Sequence, residues 1–144
     1  MSVFKRLSGF FSSPTPEELA AAKTKVQALI NENGVVVFSK SYCPYCASTK
    51  RTLNKLGAKY VLLELNEIAL SYDAMRCHHQ VFIFDAKYFD IGDDGRALQS
   101  ALQEITYQTT VPNIFIGRKH IGGNSELQDI KEQLPEFLRH AGAL

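Results

Sequence analysis

Cys43-Pro44-Tyr45-Cys46 places two of the chain's three cysteines two residues apart, just after the apolar run Val35-Val36-Val37-Phe38. Two thiols at this spacing can pass between dithiol and disulfide, provided one of them is available as a thiolate. A cysteine immediately before a helix has its sulfur near unpaired backbone N–H groups and the positive end of the helix dipole, which favours the thiolate. Cys43 holds that place, and Pro44 suits the first helical position because its missing N–H is no loss there. Lys40 adds a nearby positive charge. Cys46 falls one turn inside the helix, within reach of a mixed disulfide formed at Cys43. A structural zinc site needs about four ligands, and Cys77-His78-His79 is the only other candidate cluster, so no metal is expected. A purely structural bridge closing so short a loop would constrain the unfolded chain little.

The rest of the chain must position these thiols. At 144 residues, 45% of them apolar and 22% charged, the sequence has the size and composition of one globular domain with a single core. A formal net charge of +1 gives no electrostatic case for nucleic acid or an anionic surface. No apolar stretch approaches the roughly 18 residues of a membrane span. Three cysteines, with no long apolar leader before them, differ from the dense even set of a secreted disulfide scaffold. A reducing compartment, the cytoplasm, is expected.

Thr15-Pro16-Glu17-Glu18 carries a capping threonine, a proline for the first turn and a glutamate for a capping box, so a helix starts near Pro16 and ends at Asn33-Gly34. Val35 to Phe38 reads as a strand buried on both faces. A helix runs from Pro44 to a close at Gly57, and Tyr60 to Leu65 reads as a second strand, which completes a βαβ unit with the thiols at its first turn. Further on, Arg96 to Gln103 suits a helix behind the acidic pair Asp93-Asp94. Asn113 to Ile116 and Lys119 to Ile121 flank Gly117-Arg118 as a hairpin. Gly122-Gly123-Asn124-Ser125 then opens a last helix in which Ser125 and Gln128 have capping-box spacing.

Lys40 with Cys43-Pro44-Tyr45-Cys46, Gln108, Thr110-Val111-Pro112-Asn113 and Gly122-Gly123-Asn124-Ser125-Glu126 occur in an ordered combination that resembles the dithiol glutaredoxins of the thioredoxin superfamily. The likeness covers roughly residues 20–68 and 93–140. It implies a thioredoxin-like α/β fold with a central four-stranded mixed sheet flanked by helices. It implies a monomeric glutathione-dependent thiol–disulfide oxidoreductase that takes glutathione as cosubstrate, needs no metal, and reduces protein disulfides and glutathionylated proteins through a redox-active Cys43–Cys46 pair. By the same resemblance Pro112 is cis and faces the active sulfur, and Val111 offers its backbone to glutathione. Lys40 and Gln108 meet the glycine carboxylate of glutathione, Tyr45 borders the site, and Ser125 and Glu126 hold the γ-glutamyl end. The alternative from another class is a dimer that holds an iron–sulfur cluster through Cys43 thiolates and glutathione. Pro44-Tyr45 and the resolving Cys46 favour the redox enzyme.

Three features depart from the family pattern. Glu126 stands where an aspartate is usual, and Tyr107 and Thr109 stand where a small and a basic residue are common. An insert of about two dozen residues, 69–92, interrupts the domain that otherwise spans 15–144. Residues 1–14, with Lys5, Arg6 and no acid, read as a flexible extension with a faint likeness to a mitochondrial transit peptide.

Overall fold

The computed structural model describes residues 13–66, 94–144 and the backbone of 86–88. The expected N-terminal extension up to residue 12, and Cys77-His78-His79 with most of the insert, lie outside the described residues.

α1 (Pro16–Glu32) begins as the sequence predicts: Thr15 Oγ1 accepts from Glu18 N, and Glu18 Oε2 accepts from Thr15 N at 2.7 Å. It leads into β1 (Val35–Ser39), α2 (Pro44–Lys55) and β2 (Tyr60–Glu64), the βαβ unit read from the sequence. β3 (Ala86–Tyr88) and α3 (Gly95–Thr106) follow, then the hairpin of β4 (Asn113–Ile116) and β5 (Lys119–Gly122). The chain ends with α4 (Asn124–Asp129) and α5 (Leu134–His140).

The strands lie in the order β3-β2-β1-β4-β5. β1 pairs parallel with β2 and antiparallel with β4, β4 pairs antiparallel with β5, and β3 runs parallel to β2. The four strands expected from the sequence form the mixed sheet, and a fifth, only three residues long and contributed by the insert, extends it beyond β2.

Period-two alternation divides the core. Val36, Phe38, Val61, Leu63 and Phe115 face one side, where Val26 and Ile30 of α1 and Leu98 and Leu102 of α3 cover them. Val35, Val37, Tyr60, Leu62 and Ile114 face the other, under Leu53 of α2, Leu127 of α4 and Leu134 and Leu138 of α5. Each large side chain buried this way contributes about 1.5–3 kcal/mol. α1 and α3 are further tied by ion pairs, Lys23 with Glu104 and Lys25 with Asp94. The thiol-bearing end of α2 is thereby fixed against a rigid sheet.

The C-terminal region corrects the sequence expectation twice. The last helix is two helices, broken between Asp129 and Leu134, with Pro135 in the first turn of the second. The Ser125–Gln128 capping box does not form. Glu126 instead sits in the first turn of α4 and accepts from Gly123 N through Oε2 at 2.8 Å, while Gln128 Nε2 donates to Thr52 Oγ1 and Asn124 Oδ1. The helix starts two residues earlier than the box requires, with Gly123 at its N-cap, so the acid that reaches back is Glu126.

Candidate active site

The turn after β1 is held at both ends. Leu65 N donates to Ser39 O, and Ser41 and Asn66 exchange two hydrogen bonds of 2.8 Å. Cys43 N then donates to Lys40 O at 3.0 Å, which closes the turn and delivers Cys43 to the N-cap of α2. No side chain caps this helix start, so the first-turn N–H groups are open to the sulfur. Cys43 is partly exposed and Cys46 is fully buried; both are free thiols, the dithiol state of the pair.

The two sulfurs differ in acidity. Desolvation raises the Cys43 pKa and the Glu64 charge adds to that, but the N–H groups of Cys46 and Tyr45 and the Cys46 thiol outweigh them, so Cys43 lies below its ordinary 9.0. The sequence reading gave Lys40 a part in this; the lowering comes instead from the helix start. Cys46 is pushed up to about 11, chiefly by burial, against the opposing influence of the Ser39 hydroxyl and the Lys40 backbone. One sulfur is exposed and prone to ionise, and the other is sheltered and holds its proton.

Facing Cys43 is the loop between α3 and β4. Its Val111–Pro112 bond is cis, and Val111 O lies 3.7 Å from Cys43 Sγ. Gln108 braces this loop, its Nε2 donating to Thr110 O and Pro112 O at 3.0 and 2.8 Å, while Gln99 Nε2 donates to Thr109 O. Thr106 Oγ1 accepts from both Gln108 N and Asn113 Nδ2 and so ties the loop to buried Asn113. Beyond the loop, Gly123 is close enough that a Cβ there would stand 3.6 Å from Pro112 O and 3.3 Å from Glu126 Oε2. Hydrogen bonds from its own N–H and from Gly123 N lower the Glu126 pKa, so it is ionised. Gly122 adopts φ +120°, and a Cβ on it would meet Glu126 Cγ at 2.9 Å.

Cys43 and Val111 therefore meet directly, Pro112 follows Val111 across the cis bond, and Gln108, Ser125 and Glu126 border the same loop or the adjoining start of α4. Tyr45 is exposed in the first turn of α2, and Lys40 is partly exposed in the turn before it. The sequence reading passed over Ser39, Lys50 and Glu64, which lie beneath the thiols. Lys50 Nζ, partly buried, meets Oε1 of the buried Glu64 carboxylate at 2.7 Å. Their signal was a charge on α2 four residues after Cys46 and an acid closing an apolar strand. Among the described residues, no group of three or more His, Cys, Asp or Glu side chains could hold a metal ion, and no helix is long and apolar enough to cross a membrane.

The sequence and fold that carry this thiol pair have close counterparts among known proteins. The glutaredoxin family model matches residues 35–81 and 80–121. A glutaredoxin of Ricinus communis is 42% identical over 125 residues, covering 85% of this chain and 99% of that protein. Glutaredoxin-C2 of Arabidopsis thaliana is 38% identical, covering 85% and 91%. Among solved structures, the buckwheat glutaredoxin–glutathione complex superposes with a TM-score of 0.71 at 37% identity, covering 91% of this chain and 99% of that one. The holo form of glutaredoxin C1 from Populus tremula x tremuloides gives 0.67 at 35% identity, covering 89% and 96%. The folds agree as thioredoxin-like, and the thiol pair stands in the frame those proteins share: this chain belongs to the glutaredoxin family of thiol–disulfide oxidoreductases.

Proposed function

We propose that the protein reduces glutathione mixed disulfides through Cys43 alone and protein disulfides through Cys43 and Cys46 together, with glutathione as the electron donor. The observation that carries this is the opposed acidity of the two thiols on one helical turn. In the first route the Cys43 thiolate attacks the glutathione sulfur of the adduct, the protein thiolate leaves, and a second glutathione releases Cys43 as glutathione disulfide. In the second, Cys43 becomes joined to the substrate and Cys46 attacks to free it, leaving the Cys43–Cys46 disulfide.

Glutathione is read as lying along the loop, its backbone paired with Val111 and its γ-glutamyl ammonium near ionised Glu126, with Ser125 beside it at the α4 start. Lys40 serves the glycine carboxylate as a cation and Tyr45 flanks the site. Gln108 acts in this reading first as a loop brace, because its amide nitrogen already serves two carbonyls. A monomer in the cytoplasm fits these chemical demands, and residues 1–14 are the segment through which mitochondrial delivery would act. The cluster-binding dimer is disfavoured by Pro44, Tyr45 and Cys46 in the motif.

The test is glutathione-dependent turnover of a small glutathione mixed disulfide, coupled to glutathione reductase. Turnover is expected, and its absence in the folded, reduced protein would overturn the proposal. Anaerobic incubation with iron, sulfide and glutathione checks the rival: a stable visible absorption band with dimerisation would favour it.

A further inference from the structure

α4 is six residues long, and a helix that short does not keep its place by its own hydrogen bonds. Part of what holds it is apolar: Leu53 of α2 and Leu127 of α4, both fully buried, share one side of the core. Beside them lies a polar latch. Thr49 Oγ1 donates to Asn124 Oδ1 at 3.1 Å. Gln128 Nε2 donates to the same oxygen at 3.2 Å and to Thr52 Oγ1 at 3.0 Å. The spacing suits both helices, since Thr49 and Thr52 are neighbours on one face of α2, and Asn124 and Gln128 on one face of α4.

The two ends of this latch lie in the two halves of the site. Thr49 is fully buried, on the side of α2 that also carries Cys46 and Leu53. Asn124 stands between Gly123, the N-cap of α4, and the pair Ser125-Glu126. The Glu126 carboxylate is ionised and accepts from Gly123 N at 2.8 Å. For packing alone the latch is dispensable, because replacing both partners of a buried hydrogen bond by apolar groups of the same shape is nearly neutral or stabilising. What it adds is direction. Hydrogen bonds keep their strength only over a narrow range of distance and angle, so they fix the slide and rotation of α4 on α2. That fixity matters to a ligand that must reach two points at once. In glutathione a set number of covalent bonds separates the sulfur from the γ-glutamyl ammonium, which limits the span it can bridge.

We propose that Asn124, latched to Thr49, is a specificity-determining positioning residue: it holds Glu126 at the span from Cys43 that a γ-glutamyl thiol bridges, and so selects glutathione mixed disulfides over those of shorter thiols. This deepens the use of glutathione proposed above and rests on it. The contribution is preorganisation, with α4 placed before glutathione arrives instead of being ordered by it. Thr49 and Asn124 take no part in the exchange of sulfurs and act through the placement of Glu126.

The test uses the full chain carrying Cys46→Ser and Cys77→Ser, which leaves Cys43 as its one thiol. The substrates are two mixed disulfides of thionitrobenzoate, one with glutathione and one with cysteinylglycine, which lacks the γ-glutamyl group. Cys43 Sγ bonds to the aliphatic sulfur, the bond from that sulfur to thionitrobenzoate breaks, and the electron pair leaves with the coloured thiolate, read by stopped flow. This parent should react about tenfold faster or more with the glutathione disulfide, and Glu126→Gln should remove most of that preference. Thr49→Val and Asn124→Leu should each lower the preference by about fivefold, with the rate on the cysteinylglycine disulfide staying within about twofold of the parent's. Asn124→Asp keeps the acceptor oxygen and should keep the preference. The double variant Thr49→Val/Asn124→Leu should fall no further than either single change, because both act through one hydrogen bond. If Asn124→Leu does not fold, Thr49→Val carries the test. Single variants that keep the parent's preference, or that slow both disulfides equally, would overturn the inference. A parent without preference, or a Glu126→Gln variant that retains it, overturns the reading of the γ-glutamyl end and the inference with it, so the two failures are told apart.

Discussion

Cys43 and Cys46 stand one helical turn apart and are shifted in opposite directions, the first below 9.0 and the second up to about 11. The shifts are linked, because the Cys46 thiol is one of the groups that favour the Cys43 thiolate, while the Cys43 sulfur discourages ionisation of Cys46. Of the two sulfurs, the more exposed Cys43 therefore ionises first.

Cys43→Ser should lower both deglutathionylation and protein-disulfide reduction by about a thousandfold or more, the scale of losing a nucleophile. Cys46→Ser should lose only the second activity and keep most of the first. Cys77→Ser should change neither by more than about twofold, since Cys77 stands outside the helix start that activates Cys43. Steady-state turnover of both substrates by the three variants decides this.

The alkylation rate of Cys43 follows its thiolate fraction. In a Cys77→Ser background, the iodoacetamide reaction should reach half its maximum rate below pH 9.0, and Cys46 should stay largely unreacted at neutral pH. The sign follows from the directions: lowering the pH through the Cys43 pKa protonates it and slows the reaction. Mass spectrometry of peptides after timed quenching reads both sites. A half-maximum above pH 9.0 would contradict the helix-start argument.

Lys50→Met leaves the Glu64 carboxylate buried and unpaired, and should destabilise the reduced protein by about 3–5 kcal/mol. Adding Glu64→Gln removes the orphaned charge and should recover most of that loss. Urea unfolding followed by circular dichroism measures both. Equal midpoints for Lys50→Met and the parent would mean that the pair is not buried in solution.

Gly122→Ala forces a side chain into φ +120° and against Glu126 Cγ. It should raise the KM for glutathione several-fold, with a smaller change in kcat. Gly57→Ala is the matched control: its φ is +70°, but nothing lies within 4 Å of the added Cβ. That variant should lose about 1–2 kcal/mol of stability and leave KM unchanged. Coupled assays at graded glutathione concentrations separate the two.

Elements with local punctuation were legible in the sequence. Thr15-Pro16-Glu17-Glu18 states a helix start in four residues, and Val35 to Phe38 states a buried strand by composition. The thiol pair was legible because its chemistry depends on spacing and on one helix start. The support beneath it was not, because Ser39, Lys50 and Glu64 meet through strand register and helix docking, which no local pattern encodes. Ser125–Gln128 had the right spacing for a cap, but Gly123 moved the helix start and gave the role to Glu126. The break between α4 and α5 was signalled by Pro135, whose effect depends on how each half packs on β4. β3 lies within the insert, and three residues are too few to carry a periodic signal.

β3 also bears on how the protein meets other chains. Without it, the outer backbone row of β2 would be a five-residue edge, open to pairing with a strand of another molecule. β3 pairs with that row and puts a three-residue strand outermost. The opposite edge is β5, four residues long and joined to β4 with a register shift between Ile114 and Phe115. Among the described residues, neither margin of the sheet offers a long regular ladder. In the proposed two-thiol route, a disulfide-bearing client would then be met at the sulfur rather than by sheet extension, and contact would end when the covalent bond is exchanged.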